Sequence, residues 1–276
     1  MKTSLPTLVL GGTGKTGRRV AQRLNALGRP WRMGSRNAQP PFAWENPATW
    51  APALQGMGSV YISYFPDLAV PGAADTVGAF ARLAVQQGVR RLVLLSGRGE
   101  EGAQLAEQAV QASGADCTVV RATWFNQNFS EGGFLDGVLA GELMLPVGDV
   151  AEPFVDADDI ADVAVAALTQ DGHVGQVYEL TGPRLLTFAQ AAEEIAQAVG
   201  RPVRCTSIPL DDFTEAMAGQ GEPPEVVALL RYLFNDVLDG RNAHLADGVQ
   251  RALGRAPRDF ADFAREAAAS GRWALR

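Results

Sequence analysis

Short apolar runs alternate with amphipathic helical patterns along the first two thirds of the chain. The first run, Thr7 to Leu10, has no polar alternation, which is typical of a strand buried on both faces. The helical pattern after it places Val20, Leu24 and Leu27 on one stripe and ends at Gly28. Further strands are predicted over residues 31–33, 59–63, 91–95, 117–120 and 177–180. Strands that alternate with helices predict an α/β fold with a doubly wound parallel sheet.

Polar residues at the starts of apolar stretches predict where several helices begin. Asn46, which stands before a proline, predicts the N-cap of a short helix that ends at Leu54. Asp158 is the expected N-cap of a longer helix. Thr187 is the expected N-cap of another helix, which ends at Gly200. Two further helices are expected over residues 73–87 and 100–112.

Three glycines at three-residue spacing follow the first strand and precede the first helix: Gly11, Gly14 and Gly17. Glycines permit a tight turn and let the backbone approach a pyrophosphate at a helix N-terminus, where N–H groups point outward. This order predicts a dinucleotide-binding, Rossmann-type fold. The run Gly-Lys-Thr at 14–16 is also similar to the end of a P-loop, but that motif needs a glycine where this chain has Val9.

The pattern changes in the later chain, from about Phe154, and from Pro209 onward the chain is mostly helical with loops rich in glycine and proline. We therefore expect a Rossmann core over residues 1–182. A smaller, mainly helical lobe over residues 183–276 is expected to interlock with this core on the substrate side.

In parallel sheets of this kind, ligands bind at the carboxyl ends of the strands. The expected cofactor-binding residues are Gly11, Thr13, Gly14, Lys15, Thr16, Gly17, Ser35, Arg36, Tyr64 and Ser96. The expected substrate-binding residues are Trp124, Phe125, Asn126 and Asn128. Aromatic rings and amides can hold a flat substrate and orient it. Interior packing is an equally good interpretation for the large aromatic residues, Tyr64 included.

Residues at the end of the second strand determine whether a protein of this fold prefers NAD or NADP. An acidic residue there would bind the ribose 2′-hydroxyl and indicate NAD. Ser35 and Arg36, with Lys15 in the nearby turn, instead offer a cationic partner to a 2′-phosphate. We therefore expect NADP, with NAD as the alternative if Arg36 is only a solvated loop residue.

Composition limits the partners. The 276 residues are 47% hydrophobic and 20% charged, with a formal charge of −7, which disfavours nucleic acid because phosphate backbones attract basic surfaces. No apolar run is long enough for a membrane span, and Met1–Pro6 lacks a signal-peptide pattern. We expect a cytoplasmic protein, a monomer or homodimer, that binds a small-molecule substrate.

The two cysteines and two histidines suggest no further chemistry. Cys117 lies in a predicted buried strand, so an inert thiol is expected there, and no disulfide with Cys205 is expected. His173 and His244 have no cysteine or acidic cluster at ligand spacing. No metal site is therefore expected.

Five stretches form a recognisable set: GGTG-x-x-G at 11–17, GVRRLVLLS at 88–96, VVR-x-TWF-x-x-NF at 119–129, DADDIA at 156–161 and QVYELTGP at 176–183. On these stretches the chain resembles, over nearly its whole length, the NmrA-like group of atypical short-chain dehydrogenases/reductases. Residues 11–17 and 123–125 are most similar to the ergot-alkaloid-type reductases, which act on iminium-like substrates. The resemblance implies a Rossmann-type fold that binds NAD(P)H. Relatives with the same core include quinone reductases and redox-sensing regulators.

Short-chain dehydrogenases usually carry a Tyr-x-x-x-Lys pair, in which the tyrosine gives the proton and the lysine lowers its pKa. The only lysines here are Lys2 and Lys15, and neither has a tyrosine four residues before it. We therefore expect hydride transfer from NADPH to an electron-poor planar acceptor, an iminium ion or a quinone, without that pair. The alternative is a non-catalytic, NADP(H)-sensing regulator that binds a protein partner.

Overall fold

The computed structural model describes residues 5–275, so that Lys2 and most of the segment Met1–Pro6 lie outside the described residues. The strands are β1 Thr7–Leu10, β2 Trp31–Gly34, β3 Ser59–Ile62, β4 Arg91–Gly97, β5 Asp116–Ala122, β6 Glu142–Leu145, β7 Ala151–Glu152, β8 Val177–Leu180, β9 Leu186–Thr187 and β10 Arg204–Ser207. The helices are α1 Lys15–Ala26, α2 Trp50–Leu54, α3 Ala73–Gln86, α4 Glu101–Gln111, α5 Asn128–Glu131, α6 Leu135–Ala140, α7 Ala157–Thr169, α8 Phe188–Val199, α9 Leu210–Gly219, α10 Pro224–Tyr232, α11 Gly248–Leu253 and α12 Phe260–Ala269.

Six strands form one parallel sheet in the order β2-β1-β3-β4-β5-β8. Every residue of β1 and of β3 is buried, as their unbroken apolar patterns predict. Helices α3 and α4 pack together against one face of the sheet, and α1 and α7 pack together and contact the strands from the other. The predicted α/β fold with a parallel sheet between two helical layers is confirmed.

The chain divides into two compact units that interleave along the sequence. Unit 1 contains the six-stranded sheet and comprises residues up to 122, 157–180 and 247–255. Unit 2 comprises residues 123–156, 181–246 and those from 256 onward. The expected split at residue 182 differs from this division at 123–156 and 247–255, and as a domain boundary it stays a prediction.

Each unit has its own apolar core. In unit 1, alternate strand residues such as Leu8, Val60 and Leu92 pack on one sheet face with the aromatic rings of Phe42 and Phe80. In unit 2, buried aromatic residues form the core, and the partly buried Trp124 packs against them. The buried rings are Phe129, Phe134, Phe154, Phe188, Phe213, Phe234, Phe260, Phe263 and Trp273. Short two-stranded sheets, β6 with β10 and β7 with β9, accompany the helices of unit 2.

Two of the predicted helix starts are confirmed by side-chain hydrogen bonds. The Thr187 hydroxyl accepts a hydrogen bond from the Gln190 N–H at 3.1 Å, and the Gln190 side chain accepts one from the Thr187 N–H at 2.9 Å. This reciprocal arrangement is a capping box. The Asn46 side chain accepts a bond from the Ala48 N–H, and one turn of 3₁₀ helix, Pro47–Thr49, leads into α2.

Other element boundaries were predicted wrongly. Leu27 is 59% exposed rather than on the buried stripe of α1, because the helix ends at Ala26. Asp158 lies inside the first turn of α7 instead of capping it, and its carboxylate pairs with Arg19 and Arg23. Strands β4 and β5 extend two residues beyond their predicted carboxyl ends, and therefore contain Ser96 and Arg121.

Candidate functional site

Two of the three glycines between β1 and α1 are required by the backbone geometry, and the third closes the turn through its N–H. Gly11 has a φ of +63°, in the left-handed region that favours glycine. The Gly14 N–H donates to the Gly11 carbonyl oxygen at 2.8 Å and closes the turn. A Cβ on Gly17 would lie 2.2 Å from that same oxygen, so only a hydrogen atom fits at this position. Gly14 itself has an ordinary φ of −76°.

Helix α1 begins directly after this turn. Its first turn contains Lys15 and no acidic residue, and both Thr13 and Gly14 are exposed. The Thr16 and Gly17 side of the same turn is buried. The first N–H groups of a helix have no intrahelical acceptor, and the helix dipole adds partial positive charge there. This end of α1 therefore suits a pyrophosphate.

Ser35 and Arg36 follow β2 beside the glycine turn, since Gly34 pairs with Leu10 of β1. The Ser35 carbonyl accepts hydrogen bonds from two later backbone N–H groups, at 3.1 and 2.9 Å, which fix the loop. Arg36 is exposed, and no carboxylate within residues 5–275 pairs with it. Its guanidinium is available to a phosphate group.

The other two expected cofactor-binding residues have partners within unit 1. Tyr64 is partly buried, with its ring centroid 4.9 Å from that of Trp44. Ser96 is buried in β4, and its hydroxyl donates to Glu107 Oε1. The roles of Tyr64 and Ser96 toward a cofactor stay predictions.

Sequence reasoning missed a buried ion-pair cluster at the carboxyl ends of β4, β5 and β8. Arg121 donates to Glu107 Oε2 at 2.5 Å and to Glu179 Oε1 at 2.8 Å. Arg98 donates to Glu179 Oε2 at 3.3 Å. The hydrogen bond to Glu107 raises the pKa of Arg121. Burial alone would raise the pKa of Glu179, but the hydrogen bonds from Arg121 and Arg98 outweigh burial and lower this pKa.

A signal for this cluster exists in the strand register. Arg121 pairs with Ser96 on one side and with Glu179 on the other, so the three side chains lie at one level of the sheet. In the sequence, the sign of this cluster is a charged residue at the end of an apolar strand, as in VVR at 119–121 and VYE at 177–179. Buried charges require partners, which predicts such pairing once the strand order is known.

The loop expected to bind substrate lies in unit 2. Trp124 is partly buried, and its ring contacts Phe134, Phe188 and Phe234 with centroid distances of 6.0, 5.7 and 5.2 Å. Phe125 is also partly buried and bridges to Val155. Trp124 therefore has a packing role in unit 2, through its contacts with these three rings.

The two amides of this loop differ in exposure. Asn128 is partly buried and begins α5. Asn126 is fully buried, and its side-chain amide donates to Asp156 Oδ2 at 3.3 Å. The backbone N–H of Asn126 donates to the Val155 carbonyl at 2.9 Å. Substrate binding by these residues stays a prediction, and Asn126 has a structural role besides.

The two thiols are free, Cys117 buried and Cys205 partly buried. Burial, followed by the charge of Glu107, raises the pKa of Cys117 to about 12, which matches the expected inert thiol. Within residues 5–275 no group of three or more histidine, cysteine or acidic side chains is placed to hold a metal ion. None of the helices described for this chain has the length and apolar character needed to cross a membrane.

The parallel sheet, the glycine turn and the open N-terminus of α1 define a dinucleotide-binding protein of the Rossmann type. No protein-family model matches the chain. An NAD(P)H azoreductase from Xenophilus azovorans is 32% identical over 285 residues, covering 95% of this chain and 98% of that protein. Festuclavine dehydrogenase from Aspergillus fumigatus is 30% identical over 286 residues, covering 96% and 98%. The chain belongs to the NmrA-like family of atypical short-chain dehydrogenases/reductases, which bind NAD(P)H.

Among solved structures, the NADPH-dependent quinone oxidoreductase of Escherichia coli, in complex with NADPH, superposes with a TM-score of 0.74. The two sequences are 21% identical, and the match covers 94% of this chain and 99% of that one. This similarity supports the Rossmann-type fold over almost the whole chain.

Proposed function

We propose that this protein is an NADPH-dependent reductase that transfers hydride to an electron-poor, planar acceptor. The observation that carries the proposal is the open glycine turn beside the exposed Arg36, which pairs with no carboxylate among the described residues. The turn suits a pyrophosphate, and Arg36 suits the 2′-phosphate that distinguishes NADPH from NADH. An azoreductase and a quinone oxidoreductase among the similar proteins act on acceptors of this electron-poor kind.

When bound, NADPH supplies a hydride. The first backbone N–H groups of α1 and the side chain of Lys15 would hold its pyrophosphate, and Arg36 its 2′-phosphate. An iminium ion that accepts hydride becomes a neutral amine, and a quinone spreads its new charge over the ring. A plain ketone develops an alkoxide that needs strong donors or a proton. Helix α4 contains neither tyrosine nor lysine, so the usual donor to a strongly basic alkoxide is missing there. The first two classes fit better, because their hydride adducts are neutral or only weakly basic.

The test is to mix the protein with NADPH and quinones, azo dyes and cyclic iminium salts, and to follow nicotinamide absorbance. Consumption of NADPH with at least one class supports the proposal. Tight NADPH binding with no consumption on any class would favour the alternative, an NADP(H)-sensing regulator. Efficient reduction of plain aliphatic ketones would contradict the expected acceptor class.

Arg36→Asp is expected to weaken NADPH binding by about 10- to 100-fold, or about 1.4–2.7 kcal/mol, and NADH binding far less. The substitution removes the cation that faces the 2′-phosphate and adds a repulsive charge. Fluorescence titration with both cofactors measures the difference. Arg29→Asp is the matched control, because Arg29 is exposed but precedes the amino end of β2. Equal losses for both cofactors would show that Arg36 does not bind the 2′-phosphate.

Trp124→Ala is expected to lower turnover on planar acceptors while NADPH affinity stays within about tenfold, or about 1.4 kcal/mol. The physical reason is loss of an aromatic wall that binds flat or cationic substrates. Steady-state kinetics and cofactor titration on one preparation check both quantities. Phe263→Ala removes another ring of the same aromatic core and controls for lost packing. Turnover unchanged by Trp124→Ala, or lowered equally by Phe263→Ala, would leave Trp124 with packing alone.

A further inference from the structure

Two acidic side chains come together at the carboxyl ends of β3 and β4. Asp67 follows β3, and Glu100 lies between β4 and α4. Besides burial, the negative charge of Asp67 and a hydrogen bond to its side chain both raise the pKa of Glu100. The Glu100 carboxyl lies against Gly97, the last residue of β4, where a Cβ would be only 2.0 Å from Glu100 Oε1. Glu100 therefore occupies space at the sheet edge that a side chain at position 97 would fill.

The surroundings of Glu100 are unusual for a carboxylate. The residue is only 7% exposed, and its Oε2 atom is buried with no hydrogen-bond donor among the described residues. Asp67 faces it from the loop after β3, and Glu107 faces it from α4. The cations of this region bind other carboxylates, since Arg98 pairs with Glu179 and Arg121 with Glu107 and Glu179.

Burial, followed by the charges of Asp67 and Glu107, raises the pKa of Glu100 to about 9. The side chain therefore keeps its proton at neutral pH. A hydrogen bond between two carboxyl groups also requires that one of them be protonated. A carboxylic acid kept neutral in this way can donate a hydrogen bond or a proton within a site.

We propose that Glu100 and Asp67 share one proton and give it to the acceptor, in place of the absent tyrosine–lysine pair. The inference rests on the proposed function. Glu100 immediately precedes α4, which contains neither tyrosine nor lysine. Because Ile62 of β3 pairs with Leu94 of β4, the two loops meet at the sheet edge where ligands bind in this fold. Asp67 is partly exposed and connects the pair to solvent.

The proton balance follows from the acceptor. A quinone or an azo compound that has taken up a hydride carries a negative charge on oxygen or nitrogen. The O–H bond of the Glu100–Asp67 pair breaks, and an O–H or N–H bond forms on that atom. The acceptor has then gained one hydride and one proton, and water returns a proton to the pair through Asp67. An iminium ion needs no such proton, because hydride addition leaves a neutral amine.

The experiment compares the full-length wild type with Glu100→Gln, Asp67→Asn and Glu101→Gln. Glutamine mimics the neutral acid, and asparagine keeps an oxygen for the Ala69 N–H that donates to Asp67 Oδ1 at 2.8 Å. Glu101 is exposed and adjoins Glu100, so Glu101→Gln is the matched control. Titration with NADPH is expected to give the same affinity for all four proteins.

The protonation state is measured without turnover. Infrared spectra of the wild type at pH 7 are expected to show the carbonyl band of a protonated carboxyl, absent from Glu100→Gln and present in Glu101→Gln. Unfolding gives a second readout. Folding raises the pKa of Glu100 from 4.5 to about 9. Between these two pH values, the folded protein therefore holds a proton on Glu100 that the unfolded chain has released. Raising the pH therefore destabilises the wild type relative to Glu100→Gln.

The kinetic arm uses NADPH with a 1,4-naphthoquinone and with a cyclic iminium salt. Glu100→Gln and Asp67→Asn are expected to lower kcat on the quinone by about 100-fold, the usual size of a lost proton transfer, and to spare the iminium salt. Wild-type turnover on the quinone in Glu100→Gln, or no protonated carboxyl in the wild type, would overturn the inference. If the carboxyl band behaves as expected and the wild type consumes no NADPH with any acceptor, the proposed function has failed and the carboxyl pair stands without a catalytic role.

Discussion

Gly17→Ala is expected to reduce NADPH and NADH binding alike by at least about 100-fold, or about 2.7 kcal/mol. The added Cβ would lie 2.2 Å from the Gly11 carbonyl oxygen and 2.7 Å from its carbon, distances that no real contact allows. The obstacle is backbone, so no flexible side chain can move aside. The turn must open, and the Gly14 N–H that now bonds the Gly11 carbonyl at 2.8 Å is displaced. Nucleotide titration by fluorescence measures the loss.

A control separates this effect from the general cost of replacing glycine. Gly133 has open space where a methyl group would be added and no left-handed φ, so Gly133→Ala is expected to bind both nucleotides normally. Circular dichroism and thermal unfolding show whether each variant is folded. Folded Gly17→Ala with unchanged nucleotide affinity would place the phosphates somewhere other than this turn.

Features of the fold that depend on short stretches of sequence were predictable. The glycine turn needs only the strand before it, the helix after it and the spacing of three glycines. The capping box at Thr187 involves residues three apart, and the burial of β1 follows from its own apolar run. Each is decided by local geometry, so the sequence carries the information within a few residues.

Features that depend on distant strands were not predictable in the same way. Arg121 meets Glu179 only because β8 pairs with β5, although α7 intervenes along the chain. Asp67 and Glu100 are 33 positions apart and meet because β3 and β4 are neighbours. Asn126 follows β5, and its burial depends on the segment around Val155, which lies against it. In each case the deciding contact is tertiary.

Arg121→Ala is expected to lower the free energy of unfolding by about 3–5 kcal/mol, the cost of leaving a buried charge without its partner. The Glu107 side chain is only 4% exposed, and Arg121 gives it two hydrogen bonds, at 2.9 and 2.5 Å. Water cannot replace these bonds without opening the packing around α4. Urea unfolding at neutral pH measures the change. Arg265→Ala is the control, since Arg265 pairs with Asp262 on the surface of α12 and should cost at most about 1 kcal/mol.

A double variant tests whether the uncompensated charge is the cause. Glu107→Gln removes the buried charge, so adding it to Arg121→Ala should restore part of the lost stability instead of lowering it further. The Ser96 hydroxyl, which donates to Glu107 Oε1, can donate equally well to the glutamine oxygen. Losses that simply add in the double variant would mean that Arg121 stabilises unit 1 through the packing of its aliphatic stem and not through its bond to Glu107.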